Sequence, residues 1–151
     1  MTHNQNNETG KWIGHLDHVN EKKLGDIEHK LIEKRINWFY ENLASIEKLK
    51  GNDLQKAYHL LLLKIVIDEK DAPIVYRSEK RVVFHSRNYC PALEACQVLG
   101  LDTRKICKAI FEKPTDTLIK HINPKLTFSR NYERIRPYTG YCEEMITLGH
   151  V

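Results

Sequence analysis

The stretch Ser86-Arg87-Asn88-Tyr89-Cys90-Pro91-Ala92-Leu93-Glu94-Ala95-Cys96 marks a change in the chain from a strand pattern to a helix pattern. Before it, Val82-Val83-Phe84-His85 has the β-branched and aromatic residues that are typical of a strand. Within it, Pro91 suits the first position of a helix, where the missing N–H group is not needed. The stretch therefore predicts a strand that leads into a helix, with Cys90 as the N-cap residue.

Further strands and short helices are predicted on both sides of this junction. Ile74–Arg77 and Val82–His85 flank a polar turn and predict a β-hairpin. Leu126–Arg134 and Tyr141–Leu148, separated by a turn at 136–140, predict a second antiparallel strand pair. Capping residues and glycines delimit three short helices between these pairs. They are predicted at about Pro91–Leu99 before Gly100, Thr103–Glu112 after Asp102, and Asp116–Ile122.

The front half of the chain has helical periodicity instead. One helix is predicted over about 24–50, because its apolar residues recur in alternating steps of four and three. They are Ile32, Ile36, Phe39, Leu43 and Ile46. Gly51-Asn52-Asp53 interrupts this pattern, and Asp53 is suited to cap a second helix that carries Leu54, Tyr58, Leu61, Leu62, Ile65 and Val66. We expect these two helices to form a helical hairpin.

Together these elements predict an α+β domain over 18–151, with a helical front half at 24–67 and a cysteine-bearing half at 74–148. Residues 1–17 lack periodicity and predict a flexible N-terminal arm. The long apolar side of the front helices also suggests a homodimer, since such a surface often pairs with its own copy.

Composition restricts the classes of function. The chain has 151 residues, of which 41% are hydrophobic and 29% are charged, as in ordinary globular domains. No apolar run approaches the roughly 20 residues that span a bilayer, and the polar start does not resemble a secretory signal. We therefore expect a cytoplasmic protein that does not enter membranes. The net charge of +4 is spread along the chain, so nucleic-acid binding is not favoured.

The four cysteines, at positions 90, 96, 107 and 142, include no C-x-x-C pair. In a cytoplasmic chain they are expected to be free thiols or ligands rather than disulfides. Cys96 and Cys107 lie on apolar helix sides, which favours burial. Cys142 stands at the start of the last strand, where both burial and a place beside a pocket remain open. No metal ligands are assigned, although a zinc site assembled from all four thiols remains an alternative.

Cys90 has the clearest chemical potential of the four. An N-cap residue faces unpaired backbone N–H groups and the positive end of the helix dipole, and both favour the thiolate. The thiolate is the form that attacks electrophiles or binds metals. The competing interpretation is a small residue that fills the corner between strand and helix.

Arginines and tyrosines alternate near the C-terminus. On a strand, Arg130 and Tyr132 share one face with Phe128. A half-buried arginine needs an anionic partner, which could be Glu133, Glu143 or Glu144 across the strands, or the carboxylate of a ligand. RNA binding through stacked tyrosines is a weaker alternative. His85 and His121 could serve as general bases, but a structural role is favoured for both.

Several of these features recur in one order: Cys90-Pro91, Leu99-Gly100-Leu101, Cys107, Leu126-Thr127-Phe128-Ser129-Arg130 and Gly140-Tyr141-Cys142. This succession, over about residues 82–148, resembles proteins related to L-2-amino-thiazoline-4-carboxylic acid hydrolase. It is also similar to the vinyl-reductase-type small-molecule-binding domains. The resemblance implies a small-molecule-binding α+β domain. No cofactor is predicted, and zinc remains possible.

The resemblance also implies roles for individual residues. A cleft would be lined by Cys90, Cys107, Arg130 and Cys142, and would accept a small carboxylated compound that contains nitrogen. Cys90 and Cys142 would be the catalytic residues of a C–N bond hydrolysis, while Arg130, Tyr132 and Cys107 would bind the substrate. The alternatives are a ligand-binding or sensor domain without catalysis, and a cysteine-ligated zinc protein.

Overall fold

The computed structural model describes residues 2–149 and confirms a mixed α+β fold with one four-stranded antiparallel sheet. The helices are α1 (His3–Leu16), α2 (Glu21–Glu41), α3 (Leu43–Ile46), α4 (Asp53–Ile65), α5 (Pro91–Leu99), α6 (Thr103–Ile110) and α7 (Glu112–Lys120). The strands are β1 (Ile74–Arg77), β2 (Arg81–Ser86), β3 (Leu126–Asn131) and β4 (Cys142–Leu148). A 3₁₀ turn at Glu69–Asp71 leads into β1.

The sheet has the strand order β1-β2-β4-β3. The predicted β-hairpin and the predicted C-terminal strand pair are both confirmed, and the antiparallel pairing of β2 with β4 joins them into one sheet. β3 ends at Asn131, three residues earlier than predicted. Tyr132 and Arg134 therefore lie beyond the strand, and the alternation of strand faces does not extend to them.

The predicted junction of strand and helix is confirmed. β2 ends at Ser86, and α5 begins at Pro91 with Cys90 as its N-cap residue in an extended conformation. Gly100 closes α5 in a left-handed conformation with φ of 67°, which glycine adopts without steric cost. Ala92 and Leu93, in the first turn of α5, are buried.

The prediction of a flexible arm over 1–17 is wrong for the residues that the structure describes. His3–Leu16 form α1, which begins with a capping box between Thr2 and Gln5. α1 packs against α5, and Leu16 is fully buried. The sequence of α1 is too polar to show this periodicity, and the burial of its last turns depends on a partner helix that is distant in sequence.

The front helices also differ from the prediction at their ends. The helix expected over 24–50 ends at Glu41, where Asn42 interrupts it and donates a side-chain hydrogen bond of 2.8 Å to the Trp38 carbonyl. Asn52, rather than Asp53, caps α4 through a capping box with Gln55. α2 packs mainly along α6 and α7, whereas α4 packs against the sheet and α7. Self-association through these helices stays a prediction.

Two larger apolar cores and one small cluster result from this packing. The larger core joins the inner face of the sheet to α4 and α7, with Phe128 and Ile146 at its centre. The smaller core joins α1, the first half of α2, α5 and α6 around Leu16 and Ile110. Among residues 2–149, no helix is both long enough and apolar enough to cross a bilayer.

Candidate ligand cavity

A cavity of about 460 Å³ lies at the junction of the two cores. Its floor is formed by β2, β3 and β4 close to the β2–α5 junction, and its walls are formed by the helices, with Trp12 on α1, Leu31 on α2 and Leu61 on α4. Apolar side chains make up most of the lining. Five basic and two acidic side chains also line it, and they are Lys34, Arg35, Lys64, Arg130, Arg136, Glu8 and Glu144.

The sheet register brings three of the lining residues into one row. Phe84 on β2 pairs with Glu144 on β4, and Glu144 pairs with Arg130 on β3. We call this set the inner row, because it faces the helices and the cavity. Beyond it, toward the larger core, the next inward-facing positions are entirely apolar: Val82, Ile146 and Phe128. The inner row is therefore the place where the sheet changes from core to cavity.

Arg130 and Glu144 form an ion pair in the inner row, and only 13% and 10% of their side chains are exposed. Burial opposes the charge of Arg130, but Glu144 outweighs it, so the pKa of Arg130 lies above its ordinary value. The Nε–H group of Arg130 is buried and has no hydrogen-bond partner within the described part of the chain. Of the three carboxylates considered as partners of Arg130, Glu144 is therefore the one that pairs with it. One donor of the guanidinium group remains unused.

Arg35 is a second guanidinium group in the cavity, which the sequence analysis missed, and the residue is half-buried. It donates a hydrogen bond to the Thr115 hydroxyl and lies 5.7 Å from the centre of the Phe111 ring. Among residues 2–149, no carboxylate lies within 4.0 Å of it. Burial, together with the charge of Arg130, lowers the pKa of Arg35 to about 10, so Arg35 is still protonated at neutral pH.

A signal for Arg35 exists in the sequence. Arg35 follows Leu31 by four residues and precedes Phe39 by four, so all three lie on one side of α2. An arginine on the buried side of a helix needs an anion or a polar site nearby. The sequence alone does not show that the carboxylate near Arg35 is Glu144, which already pairs with Arg130.

Cys90 lines the cavity as the resemblance implied, but burial opposes the ionisation that its N-cap position favours. It is partly exposed, and no side chain caps α5 with a hydrogen bond. Burial raises the pKa of the Cys90 thiol, and this effect outweighs the Leu93 N–H group and Arg136, both of which favour the thiolate. The desolvation of a charged sulfur is larger than the gain from the helix end.

Cys107 and Cys142 are buried together with Ile135 and also line the cavity. Burial raises the pKa of Cys107 to about 12. The Cys142 sulfur accepts hydrogen bonds from Arg136, at 3.3 Å from Nε and 3.5 Å from the backbone nitrogen. Arg136 also donates from Nη1 to the Asn88 carbonyl at 2.5 Å, so this arginine is largely engaged by the protein.

Cys90, Cys107, Arg130 and Cys142 thus converge on one cavity, whereas the other candidates lie elsewhere. Tyr132 is not among the lining residues, and its hydroxyl donates to Glu112 at 2.6 Å. Burial and this hydrogen bond raise the pKa of Tyr132.

The remaining candidates have positions that fit structural roles. Cys96 is fully buried in the smaller core, as its apolar helix side predicted. His85 lies on the opposite face of the sheet next to Glu143, and His121 bonds to the Thr117 carbonyl. The described lining contains no histidine.

The four thiols do not gather as a metal site. Over residues 2–149, no group of three or more His, Cys, Asp or Glu side chains is arranged to hold a metal ion. Comparison with known proteins finds no matching family model, no matching curated protein and no matching solved structure. The geometry of the cavity is therefore the basis for any functional proposal.

Proposed function

We propose that this domain binds a small carboxylated compound reversibly in the cavity between the sheet and the helices. The observation that supports it is a shortage of anions in the cavity interior. Two guanidinium groups of the cavity, Arg35 and Arg130, have one carboxylate near them, Glu144. The Arg130 Nε–H group has no partner in the described chain.

A buried cation without a full set of acceptors is costly, because desolvation is not repaid by hydrogen bonds. A ligand carboxylate between Arg35 and Arg130 would accept a hydrogen bond from the unused Nε–H group of Arg130 and balance the charge of Arg35. Guanidinium groups suit this role, since their planar donors bind a carboxylate at two points. The residues would bind and orient the ligand without a chemical step.

Calorimetry with a panel of small carboxylates tests this proposal. We expect binding to the native protein, and a loss of about tenfold or more in affinity for Arg35→Gln, since charge-assisted hydrogen bonds contribute about 1.5–3 kcal/mol. Lys30→Gln is the matched control, because Lys30 is exposed on the same helix and is not a lining residue. Equal affinities for Arg35→Gln and Lys30→Gln would contradict the proposal.

A second candidate function is C–N bond hydrolysis of a carboxylated, nitrogen-containing compound. It is supported by the convergence of Cys90, Cys107 and Cys142 with Arg130 on the cavity. In such a reaction the Cys90 sulfur attacks the amidine-like carbon, the C–N bond breaks and the nitrogen takes a proton. Water then cleaves the C–S bond and restores the thiol. The raised pKa of Cys90 and a lining without histidine make this candidate the less favoured of the two.

Alkylation and turnover distinguish the two candidates. Hydrolysis requires that iodoacetamide modify Cys90 faster than a free cysteine at neutral pH, and that Cys90→Ser abolish product formation from 2-amino-thiazoline-4-carboxylate. Binding without chemistry requires that no product form from this compound, and because burial raises the pKa of the Cys90 thiol we expect slow alkylation. It also requires that Cys90→Ser keep the affinity for the carboxylate.

A further inference from the structure

We infer that the ligand is a monocarboxylic acid with a large apolar body, either aryl or medium-chain alkyl. This inference rests on the proposed function. Its carboxylate would lie between Arg35 and Arg130, and its body would extend toward Trp12 on α1 and Leu61 on α4. Three properties of the cavity carry this inference: its size, its charge and the way in which polar and apolar residues are distributed along it.

The first property is size. A volume of about 460 Å³ is far larger than a carboxylate group needs, and lies in the range of roughly 300–1,000 Å³ that holds drug-sized ligands. Most of this space is bounded by apolar side chains. A small polar acid would leave these apolar walls in contact with water, whereas an apolar body would cover them and gain the free energy of burial.

The second property is charge. Arg35 and Arg130 with Glu144 leave one positive charge in excess at the inner row. Arg136 is engaged by Cys142 and Asn88. Among the remaining lining charges, Lys34 and Glu8 are exposed to solvent, and Lys64 lies 5.6 Å from the centre of the Trp38 ring. One carboxylate between Arg35 and Arg130 therefore matches the excess charge of this pair with Glu144, and Nε and Nη1 of Arg136 already donate to Cys142 and the Asn88 carbonyl.

The third property is the order of residues along the wall. Phe111 contacts both ends of the proposed site, with its ring 5.7 Å from the Arg35 guanidinium carbon and 5.5 Å from the Trp12 ring. Leu31 lies one helical turn before Arg35 on α2 and also lines the cavity. The charged part of the wall, at Arg35, and the aromatic part, at Trp12, are therefore separated by a single ring, that of Phe111.

Tryptophan fluorescence and calorimetry test this ligand class. The chain has two tryptophans, and only Trp12 is a lining residue, so Trp38→Phe leaves one reporter in the proposed body site. We expect 4-phenylbutyrate and octanoate to change Trp12 fluorescence and to bind at least about tenfold more tightly than acetate, because each buried methylene adds about 0.8 kcal/mol. Octanamide, which lacks the charge, is expected to bind at least about tenfold more weakly than octanoate.

Cavity-filling variants test the position of the body. Leu31→Trp is expected to weaken phenylbutyrate by about tenfold or more while leaving acetate unchanged, because the added ring would occupy space that the apolar body needs and acetate does not. Ile65→Trp, at a half-exposed lining position, is a second blocking variant that does not depend on the folding of the first. Val98→Trp, exposed on α5 and away from the cavity, is the control.

The outcomes separate this inference from the proposed function. Binding of no carboxylate at all would overturn both. If acetate or succinate bound as tightly as phenylbutyrate with the same dependence on Arg35, the binding function would stand and the apolar class would be wrong. If phenylbutyrate bound equally well to Leu31→Trp, Ile65→Trp and Val98→Trp, the proposed position of the apolar body would be wrong.

Discussion

Two neighbouring rows of the same three strands each contain a carboxylate with little exposure, but they differ in how completely their hydrogen-bond donors are paired. The inner row holds Glu144 with Arg130, and the adjacent row on the other face of the sheet holds His85, Glu143 and Asn131, which we call the outer row. The carboxylates are comparably buried, with 10% of the Glu144 side chain and 19% of the Glu143 side chain exposed. Burial alone therefore does not distinguish the two faces.

In the outer row, the Glu143 carboxylate has hydrogen-bond partners from within the row. The Glu143 carboxylate accepts hydrogen bonds from Asn131 at 2.8 Å and from His85 at 3.0 Å, and the His85 ring stacks on Tyr141 at 3.8 Å. The Asn131 hydrogen bond, together with His85, lowers the pKa of Glu143 below its ordinary range. In the inner row, by contrast, the donors exceed the acceptors. Matched groups stabilise a fold, whereas unmatched buried groups mark a place where a ligand contributes the missing partner.

The largest expected effect comes from breaking the inner ion pair. Arg130→Met leaves Glu144 as a buried charge without its partner, so we expect the free energy of unfolding to fall by about 3–5 kcal/mol. His85→Phe removes one of two donors to Glu143 and is expected to cost about 1 kcal/mol. Urea denaturation at pH 7 measures both.

A double variant controls for side-chain volume. Arg130→Met combined with Glu144→Leu removes both charges and is expected to be more stable than Arg130→Met alone. A cost for Arg130→Met no greater than that for His85→Phe would mean that the two rows are energetically alike, and the comparison between them would fail.

Alkaline pH is expected to destabilise the fold through Cys107, a thiol of α6 that lines the cavity. The folded-state pKa of Cys107 is about 12, against 9.0 for an unperturbed thiol, so the unfolded chain loses this proton first. Its contribution to stability is present below pH 9 and is lost as pH rises through the folded pKa. Between pH 9 and 11 we expect the free energy of unfolding to fall by about 2–3 kcal/mol through this thiol.

Chemical denaturation of the native protein and of Cys107→Ala across this pH range isolates the effect. Cys96 and Tyr58 also have raised pKa values, of about 11 and about 12, and their contributions are present in both proteins. The difference in slope therefore reports Cys107. Identical slopes for the two proteins would show that Cys107 is not desolvated in the folded state.

Local patterns predicted the β2–α5 junction, because the identities of Cys90, Pro91 and Gly100 determine their own backbone conformations. They also predicted the strand pairs, since period-two burial and a turn are encoded within a few residues. The end of α2 at Glu41 was missed, because Asn42 interrupts an apolar pattern that continues unbroken in the sequence. The burial of α1 was missed because it depends on contact with α5.

The candidate site divides in the same way. Cys90, Cys107, Cys142 and Arg130 were identified in advance, from the helix end, the order of motifs and strand alternation. Tyr132 was placed wrongly because β3 ends one residue before it. Arg35 was missed because its role depends on which side of α2 faces the cavity. Net ionisation at Cys90 could not be predicted, since desolvation is a property of the assembled cavity.

Removal of the surplus cation is expected to stabilise the protein without ligand. Arg35→Met replaces a half-buried guanidinium group that has no carboxylate within reach by an apolar side chain of similar length, so we expect the free energy of unfolding to rise by about 1–2 kcal/mol. The same variant should lose affinity for carboxylates. Lys30→Met, on the exposed side of α2, should change stability by less than about 0.5 kcal/mol. A less stable Arg35→Met protein would indicate that Arg35 supports the fold rather than a ligand.

The smallest expected effect belongs to the outer row, where the charge is already matched. The folded pKa of Glu143 is lowered, so its contribution to stability is present above its unperturbed pKa of 4.5 and is lost as pH falls through the folded value. Glu143→Gln is expected to cost about 1 kcal/mol at pH 7, because a neutral amide accepts weaker hydrogen bonds from Asn131 and His85. Glu133→Gln, at an exposed position, is the control.

Thermal unfolding of both variants at pH 7 and at successively lower pH gives the decisive comparison. The deficit of Glu143→Gln relative to Glu133→Gln should shrink as the native Glu143 becomes protonated. A deficit that stays constant on acidification would mean that the outer row owes its stability to packing against Tyr141 rather than to its charge. The two rows would then differ in how their side chains pack, and not in whether their hydrogen-bond donors are paired.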